Sequence, residues 1–165
     1  LEEENQELRR LLTVSSQQKT KALASTITAY GQPSLNLGKE AGLEVGQPVL
    51  AAETLVGLIK QTSPHQSQVE LLAQNQAQPL LAETESGVAG LVIGDGQKVL
   101  LTEIDRSSSV QVGEVVVTSG QPGISSQLMI GQVLQIIDQP TAPTKQAIIE
   151  QVVSFHEVPV VEVLL

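Results

Sequence analysis

The chain has 165 residues, 9 of them basic and 18 acidic, for a formal net charge of −9, and it has no cysteine. That field repels a phosphate backbone, and aromatic residues at 1% offer no stacking platforms for bases, so nucleic-acid binding is disfavoured. The missing thiols exclude disulfides, thiolate metal sites and cysteine nucleophiles, and no apolar run reaches the roughly 20 residues that span a bilayer.

Residues 1–22 read as the end of a coiled coil. Leu1 and Leu8 fall seven apart at d positions, and Asn5 and Leu12 fall seven apart at a positions. An asparagine at a fixes register and favours a parallel pair, and the same register places Glu4 at g and Arg9 at e for an inter-helix ion pair. Leu1, Asn5, Leu8 and Leu12 are therefore the expected dimerisation residues. The seam fades at Ser15 and Lys19, and two heptads rarely associate alone, so the coil is expected to continue upstream of Leu1.

From Leu23 onward the signals are those of strands. With Tyr30 and Phe155 as the only aromatic side chains, the core must consist of Val, Ile, Leu and Ala, which suits small β-barrels or sandwiches. A first β-subdomain is predicted over 23–76, with strands at 24–30, 48–52, 55–59 and 67–72. Glycines 31, 38, 42 and 46 and Ser63-Pro64-His65 supply the turns. A second is predicted over 77–140, with strands at 79–83, 86–93, 97–103, 113–120 and 129–137 and an Asp95-Gly96 hairpin. Residues 145–165 alternate as one long or two short strands and are expected to return and complete the first subdomain.

One phrase occurs twice. Val45-Gly46-Gln47-Pro48-Val49 leads to Val56-Gly57-Leu58-Ile59, and Val112-Gly113-Glu114-Val115-Val116 leads to Ile130-Gly131-Gln132-Val133. A turn glycine entering an apolar strand, then a glycine-marked strand, repeated after about 70 residues, implies two related β-units in tandem.

Chemistry-bearing constellations are few. His65 and His156 share no ligand spacing with each other or with carboxylates, so no metal or cofactor is expected. His65, Asp105 and Ser119 follow the chain order of a chymotrypsin-type triad, which keeps a Ser119 serine hydrolase as the alternative reading. Ser119-Gly120 lacks a glycine-rich frame for an oxyanion, and only fourteen positions separate Asp105 from Ser119. A carbohydrate- or peptide-binding module would need aromatic groups that the chain lacks.

Taken in order, Gly42-Leu43-Glu44-Val45-Gly46-Gln47-Pro48-Val49, Leu55-Val56-Gly57-Leu58-Ile59, Gly87-Val88-Ala89-Gly90, Val116-Val117-Thr118-Ser119-Gly120 and Ile130-Gly131-Gln132-Val133 resemble the MreC family of rod-shape-determining proteins. The coil end Glu4-Asn5-Gln6-Glu7-Leu8 precedes them as it does in that family. The resemblance implies a mainly β fold: a coiled-coil helix, then two small barrels related to chymotrypsin-like folds without their catalysis. It also implies a single-pass membrane anchor upstream of Leu1 and a location on the extracytoplasmic face of the bacterial inner membrane. The implied function is a non-enzymatic, dimeric, filament-capable scaffold of cell elongation. Its partners would be MreD, MreB, RodZ and the transpeptidase and glycosyltransferase of peptidoglycan synthesis. Loops around Gly57 and Ser119-Gly120 are the expected partner contacts.

Overall fold

A computed structural model describes residues 6, 21–27, 32–74 and 79–165. The expected coil residues Leu1, Glu4, Asn5, Leu8, Arg9 and Leu12 lie outside the described residues, as does the boundary segment 75–78. Twelve strands account for the fold. They begin with β1 (Lys21–Ile27), β2 (Ser34–Leu35), β3 (Pro48–Ala51), β4 (Thr54–Thr62) and β5 (Ser67–Leu71). Next come β6 (Leu80–Thr84), β7 (Ala89–Gly94), β8 (Val99–Asp105), β9 (Val115–Thr118) and β10 (Met129–Ile137). The chain ends with β11 (Thr144–Glu150) and β12 (Val160–Leu164). Short 3-10 turns occupy Lys39–Ala41 and Phe155–Glu157.

The pairing order closes two rings of six strands. β6 to β11 form one, in the order β11-β8-β7-β6-β9-β10 with β10 returning to β11. β4, β3, β12, β1, β2 and β5 form the other, closed by β5 on β4. Closure leaves few strand edges exposed, which removes most of the free edges that sheet addition by another chain would need. A single parallel contact, Met129 opposite Thr54, joins the rings.

Residues 145–165 divide between the rings rather than joining the first as a unit. β11 pairs with β8 and β10 in the second ring, and only β12 crosses back, pairing antiparallel with β1 and β3. The break falls at 151–159. There Ser154 accepts the His156 N–H at its side-chain oxygen and opens the short turn that buries Phe155.

The repeated phrase is one backbone device built twice. Gly46 donates to the Ile59 carbonyl at 2.8 Å, and Gly113 donates to the Val133 carbonyl at 2.8 Å. Ile59 returns its N–H to Gln47, and Val133 returns its own to Glu114, both at 2.9 Å. Both turn glycines have φ of +92°, a left-handed conformation that a Cβ penalises. The side chain after each glycine reaches back to cap its turn: Gln47 Oε1 accepts from Glu44 N–H, and Glu114 Oε2 from Gln111 N–H. Further on, Gly57 of β4 and Gly131 of β10 occupy matching places, each facing the carbonyl of a glutamate on the next strand.

Pro48 begins β3 opposite Leu58, while β12 pairs with β3 only from Val49 onward. Its missing N–H therefore falls outside the β12 ladder, where proline at a strand start is tolerated.

Apolar residues fill both rings. Leu35, Leu43, Val49, Val56, Ile59, Val69, Phe155, Val161 and Val163 form the core of the first. The larger cluster fills the second ring with Val92, Leu101, Ile104, Val116 and Ile130, and also takes in Leu50, Leu55 and Leu72 from the first. The two rings therefore share part of one apolar cluster.

Candidate functional site

The two copies differ most in what joins their first two strands. β3 and β4 are connected by Ala52 and Glu53, whose φ values of 47° and 66° match a two-residue primed hairpin turn. The same connection between β9 and β10 is the ten-residue loop 119–128. A loop longer than its scaffold requires is where binding function commonly resides.

This loop is tied down from within. Thr118, 1% exposed, donates its hydroxyl to the Ser125 carbonyl at 2.7 Å and accepts the Leu128 N–H at 3.0 Å. Gln121-Pro122-Gly123-Ile124 closes on itself through two backbone hydrogen bonds, with Gly123 at φ +84° where a turn led by proline needs glycine. Gln121 accepts the Leu81 N–H at its side-chain oxygen, Ser119 donates its own N–H to Leu81, and Ile124 is buried beneath. Replacing Thr118 with valine, which keeps the shape but removes the hydroxyl, is expected to cost about 1–3 kcal/mol by leaving the Leu128 N–H unpaired. Urea denaturation would read that loss, and faster proteolysis within 119–128 would locate it.

The loop leans toward the first ring and bounds an open cleft of about 370 Å³ with Glu44, Val45, Pro48, Pro122, Leu164 and Leu165. Val45 is 66% exposed there. Behind the cleft the rings are stapled: the Gln151 amide donates to Leu55 O of β4 at 2.7 Å and to Ile130 O of β10 at 3.3 Å.

Among the residues singled out from sequence, Ser119 and Gly120 do lie in the exposed loop. Gly57 does not: it is a buried position within β4, packed against β5, and cannot serve as a contact loop. The strand expected at 55–59 does contain it, and a close backbone approach requires glycine there. The triad order assembles no site. His65 Nδ1 lies 3.2 Å from Glu40 Oε2 at the surface, Asp105 caps Ser107, and no hydrogen bond joins His65, Asp105 and Ser119. No cluster of three metal-ligating side chains occurs among the described residues. Thr118 belongs to a motif of the family resemblance but its capping role carried no sequence signal, and Gln151 carried none at all. The Pro122-Gly123 turn did, as a dipeptide that marks turns.

The arrangement is that of a mainly β protein of closed barrels whose buried polar side chains serve turns and loops. The chain belongs to the MreC family: the model for the barrel core of the rod shape-determining protein MreC matches residues 24–165. The cell shape-determining protein MreC of Haemophilus influenzae is 31% identical over 131 residues, covering 74% of this chain and 37% of the relative. The chain thus spans little more than a third of the length of that curated relative. Among solved structures, MreC from Pseudomonas aeruginosa matches with a TM-score of 0.78 at 18% identity, over 88% of this chain and 99% of that one. A chain from the complex between penicillin-binding protein PBP2 and MreC of Helicobacter pylori matches at 0.65 and 18% identity, over 87% and 98%. At these identities the structural likeness is one of fold.

Proposed function

We propose that this chain is a non-enzymatic scaffold of bacterial cell elongation. It works on the extracytoplasmic side of the inner membrane, held there by an anchor upstream of Leu1. It dimerises through a parallel coil using Leu1, Asn5, Leu8 and Leu12, with Glu4 and Arg9 pairing across the helices. Its barrels hold a peptidoglycan-synthesis enzyme of the PBP2 type, and the loop carrying Ser119 and Gly120 is the surface that meets it. MreD, MreB, RodZ and a glycosyltransferase are further partners by family resemblance, and filament formation is a further property of the same kind. The observation that carries this reading is membership of the MreC family together with the Helicobacter pylori complex, whose name pairs MreC with PBP2. The separate surroundings of His65, Asp105 and Ser119 support scaffolding over hydrolysis.

Light scattering tests the proposal on three samples: the chain alone, its Leu8→Lys/Leu12→Lys variant, and the chain mixed with the extracytoplasmic part of its own bacterium's PBP2. The expected masses are a dimer, a monomer and a complex. A chain that stays monomeric at every concentration, or a variant that stays dimeric, would overturn the coil assignment. A mixture showing only the separate masses would overturn the enzyme partner.

A further inference from the structure

The two copies of the repeated device are capped by different chemistry. In the first ring the side chains that accept turn and strand amides are carboxamides. Gln47 takes Glu44 N–H at 2.9 Å, Asn36 takes Ser25 N–H at 2.8 Å, and Gln74 takes Leu71 N–H at 2.7 Å. In the second ring four carboxylates do the same work, beside one carboxamide, Gln121, which takes Leu81 N–H at 2.8 Å, and the hydroxyls of Thr84 and Thr118. Glu114, the counterpart of Gln47, takes Gln111 N–H at 2.7 Å. Asp95 takes the N–H groups of Gln97 and Lys98 at 2.8 and 2.6 Å and so holds the β7–β8 hairpin. Asp105 takes both the N–H and the hydroxyl of Ser107, and Glu85 takes Val115 N–H at 3.2 Å.

We propose that the second ring is the acid-responsive half of this protein: protonation releases its carboxylate-capped turns while the carboxamide-capped turns of the first ring hold. A carboxylate accepts these amide bonds more strongly than a protonated carboxyl does, whereas a carboxamide accepts them equally at any pH.

The surroundings of each group agree. The Ser86 hydroxyl and then the Gln111 N–H hold the Glu114 carboxyl below its usual range. Glu85, on the same turn as Ser86, is the charged group on that neighbouring segment. The Lys98 and Gln97 amides lower Asp95, with the Lys98 charge adding to the effect from within the hairpin. Ser107 lowers Asp105, and Lys145 faces it from β11. Because the folded-state values of Glu114, Asp95 and Asp105 are depressed, their stabilisation is present above the unfolded-state value and is lost as pH falls through the folded one. The response therefore belongs to the acidic end of the carboxylate range. It does not depend on the scaffold reading, since it follows from the caps alone.

Amide hydrogen exchange on the full chain tests it, compared as protection factors between about pH 6 and about pH 2, the lower point lying below the ordinary carboxylate range because these groups are held beneath it. Acidification is expected to abolish protection at Gln97, Lys98, Ser107 and Gln111 and to leave Ser25, Glu44 and Leu71 protected. Glu114→Gln copies the cap that Gln47 already provides, so the fold should survive it, and Gln111 should then keep its protection at the lower pH. Asp95→Asn should do the same for Gln97 and Lys98. Equal loss in both rings would overturn the proposal, as would unchanged acid sensitivity of Gln111 in Glu114→Gln.

Discussion

Alanine in place of Gly131 is expected to destabilise the fold by about 3 kcal/mol, the upper part of the range for overpacked interiors, and Gly57→Ala by a similar amount. A Cβ at Gly131 would lie 2.4 Å from the Glu150 carbonyl oxygen and 2.9 Å from an Ile149 methyl. At Gly57 it would lie 2.5 Å from the Glu70 carbonyl oxygen and 2.9 Å from a Val69 methyl. Neither glycine has a positive φ, so the cost is one of contact and not of backbone conformation. The obstructing atom is backbone in both cases and cannot turn away as a flexible side chain would. Glycine inside a strand commonly marks such an approach, where a sheet curls tightly enough to bring the next strand over it. The turn glycines supply the control. Gly46 and Gly113 have nothing within 4 Å of an added Cβ but sit at φ +92°, so alanine there should cost only the left-handed penalty of about 1–2 kcal/mol. Urea midpoints of the four single variants would separate the two mechanisms. Equal losses at all four positions would mean that strand curvature is not what selects Gly57 and Gly131.

Much of the β architecture was legible because its signals are local. The duplicated phrase showed itself through glycines that a particular turn demands, and the structure repeats those turns bond for bond. β10 lies where its glycine and apolar run placed it, and Asp95-Gly96 does sit in the β7–β8 hairpin. The first strand, expected at 24–30, begins three residues earlier at Lys21, while 28–30 lie outside the described residues. What sequence could not convey is what depends on the ring as a whole. Whether a strand glycine lies near an exposed loop or under a close neighbour is decided by the adjacent strand, which is why the expectation of a contact loop around Gly57 fails. The division of 145–165 between rings depends on which ladder each half can join. Its one local clue was Ser154-Phe155-His156-Glu157, a serine followed three residues later by an acid, the pattern that starts a helical turn. For the loop proposed to meet a partner, sequence marks Ser119-Gly120 but not the buried hydroxyl of Thr118 that shapes the loop around them. A threonine at a strand end has no feature that sets it apart from any other β-branched residue. Gln151 is hidden for the same reason: its two acceptors are 96 and 21 positions away, and only the closed fold brings them together.

Phe155→Ala is expected to destabilise the chain by about 3–5 kcal/mol, the usual range for emptying a buried phenylalanine site. Phe155 is 2% exposed and is the largest fully buried side chain in the protein's described residues. It sits among Leu35, Leu43, Val49 and Val161 in a core whose other described members are aliphatic. Its strands are held by closed ladders, so the cavity would collapse only in part. The damage should also have a location. Phe155 anchors the segment that carries the chain from β11 in the second ring to β12 in the first, and β12 closes the first ring between β1 and β3. Loss of the anchor should therefore loosen β12 and β1 before it loosens β7 or β8. Amide exchange would show this as early loss of protection at Val161 and Val163, with Val92 and Leu101 retained. Phe155→Leu, which keeps most of the volume, should recover more than half of the stability. A uniform loss of protection across both rings would instead mean that the two unfold as one unit, joined through their shared core and the Gln151 staple.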